Sequence, residues 1–367
     1  MTHLVYPGAL HTRFHHALGA MHLMGLAIET LCNKGHDITD EEEEAVTIAI
    51  LLHDIGHGPF SHALEQTIVV GISHEDISTL LMNKLNEQFH GRLSMAIQIF
   101  NGTYHKVFLH ELVSGQLDMD RMDYLNRDSF FTGVSEGVIS FDRIIKMLNV
   151  VDDHIAVEEK GIYSIEKFLI ARRLMYWQVY LHKTVIAAEQ LLANILRRAR
   201  ELALNGKKLF ATPALNHFLI NRINKDEFMN DAHHIEAFAS LDDTDIMAAV
   251  KVWAGEDDFV LSQLCGMLMQ RNLYQVEITN DPPDKDFVAQ LTDKVIRKYP
   301  VGGQDADWFV FTDVITNNAY KPGDGSIRIL MKDGSIQDIT VASDNSNLEV
   351  LAKTVKKYIL CYIKGLV

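Results

Sequence analysis

The 367-residue sequence predicts a mainly α-helical fold with a smaller C-terminal α+β region. Three observations carry this. Apolar residues recur at helical spacing to about Tyr274, as in Phe14, Leu18, Met21, Met24 and Ile28. Helix-start signatures recur, such as Thr39-Asp-Glu-Glu42 and Ser73-His-Glu-Asp76. After Asp281-Pro-Pro283 the pattern turns to short apolar runs rich in aromatic or β-branched residues.

Pro7-Gly8 marks a turn, and a helix is expected over residues 11–33, with Gly35 as its stop. Arg13 and His16 stand three apart and share a face of that helix. Thr39 opens the next helix, and Glu41 to Glu44 load its positive end. Its apolar run from Ile48 to Leu52 ends in His53-Asp54, followed by Ile55-Gly-His-Gly-Pro59. Glycine costs about 1 kcal/mol in a helix interior and proline about 3. A buried helix therefore delivers an imidazole and a carboxylate at its last turn, and His57 and His62 lie just beyond.

Ser61 is expected to open a short helix to about residue 70, and Ser73 one to about residue 89. Further helices are expected over 93–100, over 115–128 capped by Ser114, and over 141–151. Asp120 and Tyr124 share a face of the second of these. Ile155-Ala-Val157 and Gly161-Ile-Tyr163 read as a hairpin, and 165–203 as one long helix carrying Arg172, Tyr180 and Lys183. Helices follow over 244–253 and 258–271. Strands are expected at 308–311 and 327–331, then an Asp333-Gly334 turn, a strand at 336–341 and a final helix over 348–363. The expected domains are a catalytic unit over 1–205, a helical extension over 206–280 and a small α+β region over 281–367.

Composition narrows the function classes. Hydrophobic residues make up 47% of the chain, enough for a sizeable core. The net charge of −15, from 34 basic and 49 acidic residues, argues against extended nucleic-acid binding. Cys32, Cys265 and Cys361 are far apart and read as reduced, packed residues of a cytoplasmic protein. No apolar run approaches the roughly 18 residues of a membrane span, and no signal peptide is indicated. More than half of the 18 histidines precede residue 75, which locates the chemistry.

His16, His53, Asp54 and Asp120 form the candidate metal set. Individually, each has a simpler reading as a hydrogen-bonded core residue or a surface charge. Together they supply four N/O donors and leave coordination positions open, so that a cation could acidify a water and polarise a phosphoryl oxygen.

At these residues the sequence resembles the HD-domain phosphohydrolase superfamily. Within it the resemblance is to the deoxynucleoside triphosphate triphosphohydrolases, including the animal enzyme that joins a sterile-alpha-motif domain to an HD domain. The matching stretches are Tyr6-Pro-Gly-Ala-Leu-His-Thr-Arg-Phe-His-His-Ala-Leu-Gly19, His53-Asp-Ile-Gly-His-Gly-Pro-Phe-Ser-His62, Ser73-His-Glu-Asp76, Leu117-Asp-Met-Asp-Arg-Met-Asp-Tyr-Leu-Asn-Arg-Asp128, Tyr180-Leu-His-Lys183 and Leu241-Asp-Asp-Thr-Asp245. They fall in family order and cover roughly residues 4 to 275.

The resemblance implies an HD-domain fold and one divalent metal ion (Mg, Mn, Fe, Ni or Zn) held by His16, His53, Asp54 and Asp120. It implies phosphate contacts from Arg13, His57, His62 and Arg121, with arginine at 121 where the family usually has lysine. His74 matches a catalytic histidine with Glu65 and Glu75 in its network, while Tyr124, Arg172 and Lys183 would reach the distal phosphates. Asp128 and Tyr180 match the groups that bind and screen the sugar. The implied reaction is hydrolysis of a dNTP to deoxynucleoside and inorganic triphosphate, by attack of metal-activated water at the α-phosphorus. The alternatives are a phosphodiesterase, nucleotidase or nuclease using the same site, or a nucleotide-binding regulatory module. A homo-oligomer, dimer or tetramer, is expected. The family's helical segment ahead of the Pro-Gly motif and the sterile-alpha-motif domain are expected to be missing.

Overall fold

Three reciprocal caps set the start of the fold. Thr12, Thr39 and Ser73 each accept a hydrogen bond from a backbone amide three residues on, opening α1 (Arg13–Asn33), α2 (Asp40–Leu52) and α3 (His74–Gln88). The computed structural model describes residues 1–61, 67, 71–318, 320–323, 325–345, 348 and 353–366. The short helix expected near 61–70 lies mostly outside them.

Next come α4 (Ser94–Phe100), α5 (Val107–Val113) and α6 (Met119–Thr132). Asp118, not Ser114, caps α6, its Oδ1 accepting from the Arg121 amide at 2.7 Å. α7 (Phe141–Met147) leads into β1 (Leu148–Val151) and β2 (His154–Glu158). The expected hairpin is thus displaced toward the N-terminus: β1 pairs with β2, and Gly161-Ile-Tyr163 enters a helix. Asp152 and Asp153 make the turn, both at positive φ, as a tight two-residue hairpin requires.

The long helix expected over 165–203 is broken. α8 (Ile162–Met175) passes into a wide π-turn at Tyr176–Tyr180, and His182 caps α9 (Lys183–Leu204). Shorter helices follow: α10 (Pro213–Ile220), α11 (Lys225–Asn230), α12 (Ala232–Ala239), α13 (Asp243–Trp253) and α14 (Phe259–Met269). β3 (Gln275–Thr279), α15 (Lys285–Lys298), α16 (Gly303–Ala306) and β4 (Val310–Asn317) precede β5 (Arg328–Leu330), β6 (Ile336–Asp338), α17 (Ile339–Ala342) and β7 (Val355–Tyr362).

The expected final helix is a strand over β7, the middle of a three-stranded antiparallel sheet of order β3-β7-β4. Its last residues, Ile359 to Tyr362, are buried, and aromatic and β-branched side chains suit that position. The strand expected at 308–311 begins at Val310 and runs further, and the one expected at 336–341 stops at Asp338, which caps α17. β5 and β6 form the expected hairpin through Asp333-Gly334, and β5 adds parallel to β2 in a sheet of order β1-β2-β5-β6.

One apolar core packs α1, α2 and α8 with Tyr320, Ile327, Ile329 and Ile339 from the far end of the chain. A second surrounds α9, α13 and α14 and includes β7. Cys265 and Cys361 are buried, which pushes their thiols up to about 12, whereas Cys32 is exposed rather than packed. No helix among the described residues is long and apolar enough to cross a membrane.

Candidate metal centre

α1 carries His16 in its first turn, α2 delivers His53 at its C-cap, and α6 carries Asp120 in its first turn. Their donor atoms lie within 4.8 Å of one another, and the two histidines are buried. His16 Nε2 is 3.1 Å from Asp120 Oδ1, and His53 Nε2 is 3.6 Å from the same oxygen. Asp54 lies alongside, 3.5 Å from His53 Nε2 and 4.0 Å from His16 Nε2.

Each histidine has its other nitrogen engaged. His16 Nδ1 donates to Asp123 Oδ2 at 2.7 Å, and His53 Nδ1 donates to the Ile50 carbonyl at 2.6 Å. These partners fix the tautomers and aim both Nε2 atoms at one point. His53 Nε2 is buried without a hydrogen-bond partner. Metal–donor bonds of about 2.0–2.2 Å set neighbouring donors about 3 Å or more apart, as here. An orphaned buried nitrogen beside two carboxylates and a second imidazole fits a divalent cation.

The charges agree. Burial opposes ionisation of Asp120, yet the His16 and His53 rings hold its carboxyl well below the usual carboxylate range. Asp54 is held down likewise, against burial, by His57, His53 and Arg13. Burial would lower His16, but hydrogen bonds to Asp120 and Asp123 overrule it and raise the ring to about 10. A metal bound at His16 Nε2 would displace the proton from that nitrogen.

The supporting residues explain the geometry. Ser78 on α3, fully buried, donates to the His53 carbonyl at 2.8 Å and accepts from the Gly56 amide at 2.9 Å. A Cβ at Gly56 would lie 2.1 Å from the His74 carbonyl oxygen and 2.4 Å from the Ser78 amide, so only glycine permits this contact. At Gly19 a Cβ would strike the Asp123 carboxylate at 2.0 Å. No role was assigned to Asp123, Ser78 or Gly19 from the sequence, although Gly19 and Asp123 lie within matching stretches. Asp123 alone carried a signal, three residues after Asp120 on one helix face.

Around the donors, Arg13 Nη1 pairs with Asp54 Oδ2 at 2.5 Å and its other Nη bonds the Ser61 hydroxyl. His57 Nδ1 lies 3.3 Å from Asp54 Oδ1, and burial lowers its pKa. Its ring stacks on His74 at 3.9 Å, and His74 Nε2 is 3.3 Å from Glu75 Oε1. Along α6, Arg121 pairs with Asp118 at 3.3 Å, and the Tyr124 ring meets Tyr180 edge-on at 6.1 Å. Burial pushes the Tyr124 phenol up, although Arg172 and Arg121 act in the opposite sense. Tyr180 donates to Asp128 Oδ2 at 2.6 Å, and His11 Nε2 contacts Asp128 Oδ1 at 2.8 Å. His11 was also missed; nothing in its sequence setting pairs it with Asp128. Lys183 is exposed at the start of α9 and makes no ion pair among the described residues. His62 and Glu65 lie outside the described residues.

Residues 13–127 match the family model described as an HD domain, and residues 139–217 the one described as an HD associated region. YwfO of Bacillus subtilis strain 168, an uncharacterized protein, is 30% identical over 353 residues, which span 92% of this chain and 78% of YwfO. A solved phosphohydrolase from Bacteroides thetaiotaomicron is 55% identical at a TM-score of 0.95, with 99% of this chain and 90% of that one covered. This chain belongs to the HD-domain phosphohydrolases. It is a hydrolase of mainly helical HD fold whose His/Asp group could hold the divalent metal that HD domains bind. Among HD relatives, a Dictyostelium discoideum SAMHD1 homologue named a deoxynucleoside triphosphate triphosphohydrolase is 34% identical over 218 residues. That match takes in 54% of this chain and 42% of the relative, so this chain spans under half of the named triphosphohydrolase.

Proposed function

We propose that this phosphohydrolase cleaves a dNTP to the deoxynucleoside and inorganic triphosphate. The observation that carries the reading is a row along α6. Asp120, Tyr124 and Asp128 recur every fourth residue, so a metal donor and the Tyr180-bonded carboxylate stand about 12 Å apart on one side of the helix. That length suits a nucleotide lying along the helix. The similarity to relatives named as dNTP triphosphohydrolases supports the same reading.

In this reading His16, His53, Asp54 and Asp120 hold one divalent ion. When bound, that ion supplies Lewis-acid polarisation of a phosphoryl oxygen and acidifies a water. The remaining steps fall to side chains. Arg13, Arg121 and Arg172 offset the triphosphate charge with forked donors, and Lys183 adds a charge from the rim. His57 binds the α-phosphoryl group, and His74, stacked on it with Glu75 beside, carries the proton to the leaving 5′-oxygen. Each Asp128 oxygen keeps a second lone pair, one of which accepts from the sugar 3′-hydroxyl. The Tyr180 ring occupies the place of a 2′-hydroxyl, and an unmatched buried hydroxyl costs roughly 1–3 kcal/mol.

The test is product analysis. Metal-loaded protein incubated with each dNTP should release triphosphate, and the matching NTP should react about tenfold to hundredfold more slowly. Orthophosphate as first product would replace this reading with a γ-phosphatase, and equal rates on dNTP and NTP with a general nucleotidase.

A further inference from the structure

Three arginines share an open cleft that none of the metal-centre residues lines. Its walls come from the C-terminal half of α9, with Arg197, Arg200 and Leu204, and from the segment between α10 and α11, with Arg222 and Asn224. The cleft has a volume of about 710 Å³, within the range of small-molecule sites. Arg197 stands fourteen residues beyond Lys183 on α9, about 21 Å along the helix axis.

Arg200 is fixed in place. Its two Nη groups donate to the Thr67 carbonyl at 2.7 Å and the Asn221 carbonyl at 3.4 Å, and its Nε is buried with no hydrogen-bond partner. Both partners are neutral. Among the described residues Arg197 donates to the Asn194 amide oxygen alone, at 3.2 Å, and Arg222 makes no ion pair. The acid lining the cleft, Glu201, is taken by Arg198 at 3.1 Å. Burial and then the charge of Arg222 both lower the Arg200 pKa, and no acid among the described residues offsets them. A chain of net charge −15 thus gathers three guanidinium groups that pair with no carboxylate among the described residues.

We propose that this cleft is a binding site for a small di- or triphosphate anion, separate from the metal centre. Guanidinium forks match phosphoryl oxygens two at a time, and three of them on two chain segments suit more than one phosphoryl group. The Asn224 side chain caps α11 through its oxygen and leaves its amide NH₂ as a further donor. The anion removes the repulsion between Arg200 and Arg222, so binding tightens the α9 end against the 221–224 segment. The site is independent of which phosphate ester the metal centre cleaves.

Pyrophosphate is the probe. Hydrogen exchange on the metal-loaded protein should show pyrophosphate protecting residues 197–205 and 221–224. In Arg197→Glu/Arg222→Glu, calorimetry should show that binding event weakened about tenfold or more. Metal content and turnover without added anion should match the wild type, since neither residue belongs to the metal centre. Arg200 is left intact because its two carbonyl contacts hold the fold. Unchanged binding and protection in the double variant would overturn the assignment, as would wild-type protection confined to the metal centre. Equal protection by orthophosphate would reduce the cleft to an unspecific anion contact. Preferential protection by a short RNA strand would reassign it to a nucleic-acid backbone.

Discussion

His16 can offer a metal only its Nε2, because Asp123 holds Nδ1 at 2.7 Å. Asp123 is itself clamped by Arg127, whose Nε and Nη2 reach its two oxygens at 2.8 and 2.9 Å. Asp123→Asn keeps the shape but removes the charge that fixes the tautomer and strengthens the imidazole as a donor. Metal affinity should fall about tenfold to hundredfold, with helix content unchanged. Equilibrium dialysis against the divalent ion, alongside circular dichroism, checks both halves. An unaltered affinity would make Asp123 a mere packing residue.

Among the elements, the start of α2 shows how a cap can also be a buried ion pair. Glu42 is buried, and its carboxylate takes the Thr39 amide at 2.9 Å, the Tyr104 hydroxyl at 2.7 Å and the Lys106 ammonium at 2.6 Å. Burial alone would raise its pKa, but these donors, Lys106 first, bring it below the ordinary glutamate range. A depressed folded pKa means stability present above the unfolded value of about 4.3 and lost as pH falls through the folded value. Glu42→Gln should therefore cost on the order of 2–3 kcal/mol at about pH 7. The gap in melting temperature between the two proteins should narrow as the pH falls below about 4. A gap that stays constant from neutral to acid would mean that the charge contributes nothing.

At the scale of the molecule, β5 closes the HD core from far along the chain. Ile329 is fully buried among residues of α1, α2 and α8, and β5 pairs parallel to β2 with Ile329 opposite Val157. Ile329→Ala should cost about 2–5 kcal/mol through the cavity it leaves. Urea denaturation measures the loss. Hydrogen exchange should show the loss of protection spreading to α1 and α2, although neither contains the substituted residue. Loss confined to β5 and β6 would show that the hairpin is an appendage.

Local signals were legible in the sequence because near neighbours decide them. The caps at Thr39 and Ser73, the His53-Asp54 helix end and the Asp333-Gly334 turn each depend on a few adjacent residues, and each stands where expected. The pattern of His16, His53, Asp54 and Asp120 could be named from chemistry, since few residue types offer hard N/O donors. Other features needed the folded chain. Val355 to Tyr362 carries apolar residues that suit helix or strand, and only the vacancy between β3 and β4 selects a strand. The break at Tyr176–Tyr180 is invisible to periodicity, yet it sets Tyr180 against Asp128. His16 with Asp123, Ser78 with Gly56 and His11 with Asp128 are pairings across 107, 22 and 117 positions of chain. Spacing along a sequence encodes which residues share a face, but partners so distant meet only when tertiary packing brings their elements together.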